Sequence, residues 1–365
     1  MIRVFGAVLG ALVVVGTSVN VVHSLVIPRG RVRGAVLLDR AVDHVYWAVG
    51  RSLGSYERRD RILASQPAAY LMLLLGGWLT SYLLGFALLL WPWEPDLGAA
   101  LGESGSSLFT LGFAVHHGGG STAVDFMAAA AGVTVIALQI AYLPSLYGSY
   151  NRRETEVTLL AVRAGEPAWG PELLARTRFG ISGTEDDLPA FYAAWERWAA
   201  EVTETHSSYP VLLRFRSPAA NSSWLVGLLA VLDSAALYLA AAPSRAPLEA
   251  RMCLRMGYSC LRALARTSGL HVDDDPHPDE PLVLTYANFL AGYQHLTQVG
   301  FAVERSPHEA WSHFRGWRVN YEQAAYALAY QIDAVPALWS GPRRIPERPI
   351  GPVRPPNRAP EQPGS

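Results

Sequence analysis

Residues 106–114 read Ser-Ser-Leu-Phe-Thr-Leu-Gly-Phe-Ala and lie in a short polar segment between two long apolar runs, at 68–93 and 124–147. Each run is long enough to cross a bilayer as a helix, which takes about 20 residues. Residues 108–115 of this segment nevertheless hold five large apolar side chains, which would form an exposed patch in water: Leu108, Phe109, Leu111, Phe113 and Val115. The pattern predicts a span, a re-entrant loop packed inside protein, and a second span.

A third apolar run, at 4–27, has no ionised side chain. Arg3 precedes it, as in a signal peptide, but the run is longer than a usual signal sequence and lacks a clean Ala-x-Ala site. We therefore expect a retained first span. The 365 residues are 50% hydrophobic and 17% charged. The three apolar runs of membrane length all lie in residues 1–148, whereas residues 149–365 carry charges at regular intervals. The chain thus divides into a membrane part and a soluble part.

Arginines orient the apolar runs. Segment 28–67 holds eight arginines, whereas segment 94–123 holds none and carries only acidic charges. Because cytoplasmic segments next to spans are enriched in basic residues, the counts place 28–67 and everything after 149 in the cytoplasm. They place the loop with residues 106–114 outside.

The loop resembles the filter of potassium channels. Thr110-Leu111-Gly112-Phe113 is similar to the start of the family signature Thr-Val-Gly-Tyr-Gly, and the resemblance to two-span-plus-pore-loop channels covers residues 68–148. It implies that rings of backbone carbonyls replace the water shell of a monovalent cation, potassium first. It also implies a homotetramer, since a carbonyl cage takes four filter segments. Gly132, or the region of Pro144, is where the last span would bend to gate the pore.

The resemblance assigns roles within the loop. The ion filter would be formed by five consecutive residues: Thr110, Leu111, Gly112, Phe113 and Ala114. Residues 97–109 have the length of a pore helix, whose start Asp96 or Ser104 could cap. Ser106 and Ser107, on that helix, would lie behind the filter.

The sequence departs from the family signature at several positions. Ala114 stands where the second filter glycine belongs, and alanine costs about 1–2 kcal/mol in a left-handed conformation. Phe109 replaces a threonine, Val115 replaces an acidic residue, and His116 and His117 occupy the outer mouth. The residues therefore leave open a potassium pore, a weakly selective cation pore and a pore that does not conduct.

Two other interpretations of the loop can be weighed from the sequence. Segment 94–123 could be a plain extracellular connection, although its apolar side chains would then be unexplained. Residues 102–105, Gly-Glu-Ser-Gly, match the serine motif of rhomboid-like intramembrane proteases. Such a serine requires a histidine base from a neighbouring span, and His23 is the only histidine within a predicted span. We do not expect an enzyme.

The soluble part has a helical pattern. From 188 to 205, four apolar side chains share one helical face: Phe191, Trp195, Trp198 and Val202. Ser306 and Glu309 predict a capping box for a helix that runs toward Asp333. The acidic stretch 271–280 is expected to be a solvated linker without metal. The apolar run 221–243 carries Asp233 at its centre, so a helix buried in the domain is favoured over a fourth span.

These observations predict an all-α membrane protein with three transmembrane helices, a re-entrant pore loop and an α-helical cytoplasmic domain. The expected parts are a first span (1–27), a basic cytoplasmic linker (28–67), a pore unit (68–148, loop 97–118), a helical domain (149–341) and a disordered proline-rich tail (342–365). The expected partners are the bilayer and monovalent cations, with no nucleic acid and no cofactor. The expected location is the inner membrane of a bacterium. The alternative function is a non-conducting membrane protein whose helical domain binds a partner.

Overall fold

The computed structural model describes residues 1–27, 33–114, 118–177 and 187–353. Within these ranges every regular element is helical, and the only β-type contacts are two isolated bridges, Glu166 with Val353 and Ala337 with Ile350. The predicted all-α class is therefore confirmed for the described part of the chain. By length and composition, four helical runs could cross a membrane: Ile2–Leu25, Tyr56–Leu90, Gly119–Ala164 and Trp224–Ala241.

The chain forms two compact units. The first comprises Met1–Gly50 and Ser65–Gly148, and the second comprises Arg51–Ala64 and Ser149–Ser365. The predicted linker 28–67 is therefore not a linker throughout. Residues 33–50 form a helix of the first unit, and 51–64 belong to the second unit; residues 28–32 lie outside the described residues.

The first unit is built from the long apolar helices. Its elements are α1 (Ile2–Leu25), α2 (Arg33–Gly50), α4 (Gln66–Leu90), α5 (Leu97–Leu108) and the first part of α6 (Gly119–Ala164). Helices α1 and α4 approach closely at two glycines, since a Cβ on Gly10 would lie 2.5 Å from the carbonyl oxygen of Gly85. Arg3 donates to the carbonyl oxygens of Glu94 (3.0 Å) and Pro95 (2.7 Å). The start of α1 thus lies at the end of α4, and the two helices are antiparallel.

The second unit is a helical domain around one central helix. It contains α3 (Tyr56–Leu63), the end of α6, α7 (Gly170–Arg176), α8 (Leu188–Ser208), α9 (Trp224–Ala241), α10 (Leu248–Thr267), α11 (Tyr286–Gln298), α12 (Pro307–Arg318) and α13 (Glu322–Gln331). The predicted apolar face of α8 is confirmed, with Trp195, Trp198 and Val202 buried. The predicted capping box of Ser306 and Glu309 is also present at the start of α12.

All 18 residues of α9 are buried. Its central carboxylate, Asp233, accepts hydrogen bonds from Arg318 and from the Tyr321 hydroxyl (2.8 Å). Arg318 is fully buried and also donates to Glu322 (2.6 Å). The helix predicted to run from 307 toward Asp333 is in fact broken between α12 and α13, and the side chains of Arg318 and Tyr321, on either side of the break, both reach Asp233.

A second buried cluster lies between α6 and α8. Arg153 donates to Nε2 of His206 at 2.9 Å and to the carbonyl oxygens of Leu212 (2.9 Å) and Phe215 (2.7 Å). Burial, and next the nearby charge of Arg153, hold the pKa of His206 well below its usual value. His206 is therefore neutral in the folded domain.

The predicted disordered tail is wrong for residues 342–353. Arg343 is buried and donates to the carbonyl oxygens of Ala334 (2.5 Å) and Val335 (2.6 Å). The amide of Ile350 donates to Pro336 (2.7 Å), and that of Val353 to Glu166 (2.9 Å). Hydrogen bonds rather than an apolar stripe hold this segment, so proline content alone did not reveal it. Residues 354–365 lie outside the described residues.

Candidate pore loop

The loop begins with a short helix, as predicted. Helix α5 spans Leu97–Leu108, and Oδ1 of Asp96 accepts from the amide of Ala99 at 2.9 Å. Asp96 is therefore the amino-terminal cap of α5, whereas Ser104 lies inside the helix. The predicted pore-helix range, 97–109, agrees with the observed helix to within one residue.

Contacts with both neighbouring spans fix the position of α5. The Ser104 hydroxyl donates to the carbonyl oxygen of Leu83 in α4 at 2.8 Å and is fully buried. On the other side, a Cβ built on Gly132 of α6 would overlap the carbonyl oxygen of Leu108. Only glycine lets the last turn of α5 approach α6 this closely.

The end of α5 has an unusual backbone. The amides of Thr110 and Leu111 donate to the carbonyl oxygens of Ser107 (3.0 Å) and Ser106 (2.8 Å), which is the Schellman pattern of a helix end. Thr110 has φ 55° and Gly112 has φ 70°, so both have left-handed backbone, whereas Leu111 between them does not have a positive φ. A threonine at the left-handed position of a helix cap is strained, because that position favours glycine.

The structure corrects the expected role of Ala114. Alanine there was expected to carry left-handed strain, but Ala114 is not among the residues with positive φ. Its amide instead donates to the Ser106 hydroxyl oxygen at 3.1 Å. Ser106 therefore lies against the end of the segment 110–114, and the strained residue of the loop is Thr110.

One polar residue of the site was overlooked in the sequence. The Ser107 hydroxyl donates to Oδ1 of Asp125 in α6 at 2.8 Å. This bond ties the last turn of α5 to the first turns of the following span. The sequence did contain a signal for Asp125, because it is an acidic residue at the second position of the apolar run 124–147.

The apolar side chains of the filter segment point away from the core of a single chain. Leu111 is 62% exposed and Phe113 is 69% exposed. Within the described residues of one chain, both side chains are thus only partly covered. Val115, His116 and His117, which were expected at the outer mouth, lie outside the described residues.

The two predicted hinge positions differ in their surroundings. Gly132 is required by the close approach to Leu108, independently of any bending. Pro144 lies inside α6, which continues without a break from Gly119 to Ala164. Gating at either position stays a prediction.

Comparison with protein-family models, with curated proteins and with solved structures finds no match to this chain.

Proposed function

We propose that the chain is a channel-like membrane protein that conducts monovalent cations, with potassium first among them. Four copies would each contribute residues 110–114 to one filter in the bilayer. The helical domain would lie in the cytoplasm, as the arginine distribution predicts.

The observation that carries the proposal is the left-handed threonine at the end of α5. A glycine at 110 would satisfy the same helix-end hydrogen bonds without the cost of about 1–2 kcal/mol that a Cβ brings there. Strained residues of this kind are concentrated at functional sites. Threonine differs from glycine here by its hydroxyl group, so we attribute the tolerated strain to a role of that hydroxyl. In a filter, the hydroxyl would be one more oxygen ligand for the cation at the inner end.

The alternation along the segment supports the same conclusion. Left-handed residues at 110 and 112, separated by Leu111, reverse the backbone twist at two alternate positions. Such alternation allows successive carbonyl oxygens to face one side of the segment, as a dehydrated cation requires. Ser106 and the Ser107–Asp125 hydrogen bond hold the segment from behind, so it is positioned by side chains.

The exposed apolar side chains favour an assembly. Leu111 and Phe113 are more than half exposed in one chain. The predicted orientation of the spans places these two residues in the outer leaflet of the bilayer or in the water outside it. Neighbouring copies around a common axis would cover them. The same surface would be left unprotected in a monomeric connection between two spans.

The surroundings of α9 support a count of three spans. Although α9 is apolar enough to span, all of its residues are buried within the protein, and Asp233 is paired with Arg318 from α12. A buried, ion-paired carboxylate belongs to the core of the domain rather than to lipid. We therefore assign three spans, namely α1, α4 and the first part of α6.

Ion flux tests the proposal. Protein reconstituted into potassium-loaded liposomes is expected to release potassium. Gly112→Asp is expected to abolish the release, because it places a fixed negative charge and a side chain within the segment whose carbonyl oxygens would hold the cation. Gly119→Asp is the matched control: it adds the same charge at an exposed position, at the amino end of α6, where an acidic side chain is tolerated. Absence of release from the wild-type protein under all conditions would leave the non-conducting alternative.

A further inference from the structure

The short helix α3 carries buried charges on the face that packs into the second unit. The buried positions of α3 are Tyr56, Arg59, Asp60 and Leu63, at helical spacings of three, one and three, whereas Glu57 and Arg58 are exposed. An ordinary amphipathic helix buries apolar residues and exposes its charges. Here a guanidinium and a carboxylate lie on the buried face, so specific partners must compensate both.

The partners form three ion pairs with α3, two of them through Arg59 and one, of opposite sense, through Asp60. Arg59 of α3 donates to Oδ2 of Asp333 at 2.5 Å and to Glu347 at 2.8 Å. Asp60 of α3 accepts from Arg216. Helix α3 therefore supplies one cation and one anion, its partners supply two anions and one cation, and the pairing fixes α3 in a single position and direction.

Arg216 connects α3 to the segment that follows α13. It donates to the Tyr56 hydroxyl at 2.6 Å and to the carbonyl oxygens of Ile332 and Asp333, both at 2.8 Å. Asp333 has φ 50°, so its backbone is held in the left-handed region. The backbone that Arg216 binds beside α3 thus includes a residue in the left-handed region.

The pairing is incomplete at two atoms. Nη2 of Arg59 and Oδ1 of Asp333 are buried without a hydrogen-bond partner. Unpaired buried polar atoms destabilise the arrangement that contains them. An isolated eight-residue helix is in turn too short to persist in water. A released α3 would therefore unfold, and the two unpaired atoms lower the free-energy cost of its release.

Chain connectivity gives this contact a consequence for the pore unit. Only residues 64 and 65 separate α3 from α4, the span that precedes the pore helix. We infer that docking of α3 is a coupling element through which the helical domain controls the cytoplasmic end of α4, and with it the pore. The influence on conduction rests on the proposed function, whereas the docking and its effect on α4 do not.

Hydrogen exchange of the full-length protein in lipid nanodiscs tests the coupling. Arg59→Ala is expected to speed amide exchange of residues 56–63 by about tenfold or more, because it leaves Asp333 buried and unpaired. The first two turns of α4 should exchange faster as well, while α9 stays unchanged. Arg58→Ala, which alters the neighbouring exposed arginine, should change none of these rates. If Arg59→Ala also loosens α9, the milder Asp60→Asn serves as the test variant.

The outcomes separate the coupling from the pore. Faster exchange in α3 with unchanged α4 would overturn the coupling, and unchanged α3 in both variants would overturn the docking element. Potassium release that is the same for Arg59→Ala and Arg58→Ala would overturn control of conduction. Wild-type protein without any release would refute the proposed pore while leaving the exchange result to decide the coupling.

Discussion

Replacing Arg318 by methionine tests whether α9 is the core of a folded domain. The guanidinium is fully buried and serves four acceptors: Asp233, Glu322, the Tyr326 hydroxyl and the carbonyl oxygen of Trp339. Methionine fills much of the same volume but leaves two carboxylates without their cation. Asp233 keeps the Tyr321 hydroxyl, and Glu322 keeps two backbone amides, so their desolvation is only partly compensated.

The expected loss in the free energy of unfolding is about 3–5 kcal/mol, as for other buried pairs that lose one partner. For a domain of about 200 residues this lowers the melting temperature by roughly 6–20 °C. The assay is thermal unfolding of purified protein, followed by tryptophan fluorescence. Arg318→Lys keeps the positive charge but not the several N–H donors of the planar guanidinium. Its melting temperature should lie between those of the wild type and Arg318→Met.

Arg255→Met is the control, because Arg255 is exposed on α10 and its loss should change stability by no more than about 0.5 kcal/mol. A melting temperature for Arg318→Met that equals that of Arg255→Met would refute the buried network. The double variant Asp233→Asn with Arg318→Met should lose at least about 1 kcal/mol less than the sum of the two single changes.

Three further predictions concern the loop and the domain. Thr110→Gly should leave the melting temperature unchanged or slightly higher, because the relief of about 1–2 kcal/mol of strain is partly offset by about 0.5–1 kcal/mol of glycine backbone entropy. The same substitution should lower potassium release at least tenfold. Preserved release would contradict the role of the hydroxyl. Gly132→Ala should cost about 1–3 kcal/mol through overpacking, measured by melting, while Gly76→Ala, which faces open space, should not. Because the folded state depresses the pKa of His206, the unfolded chain takes up the proton first as pH falls, so stability should be about 1.3 kcal/mol lower at pH 5.5 than at pH 7. His206→Gln should flatten this dependence and His313→Gln should not.

Local signals predicted the local elements. The aspartate before residue 97 and the helix-length segment after it located α5, and the apolar spacing from 188 to 205 located α8. The serine and glutamate of the capping box located the start of α12. In each case the residues that determine the helix lie within a few turns of one another along the chain. The local sequence is therefore enough to predict where the helix begins or which face it buries.

Tertiary pairing could not be predicted in this way. Arg59 and Asp333 are separated by 274 positions, and in the sequence Arg59 looks like one more basic residue of a cytoplasmic segment. Helix α3 therefore seemed to be part of a linker, although its charges are buried in the second unit. The strain at Thr110 likewise depends on where α5 ends, which a filter-like signature does not specify.

Mixed assemblies give the most direct test of a pore shared by four copies. The wild type and Gly112→Asp are co-expressed in equal amounts, and potassium release from liposomes is measured per unit of protein. If one defective filter segment blocks the pore of a tetramer, only assemblies with four wild-type copies conduct, and about 6% of the wild-type release should remain. Release near one half would mean that each chain acts alone, and would contradict a filter built from residues 110–114 of four copies.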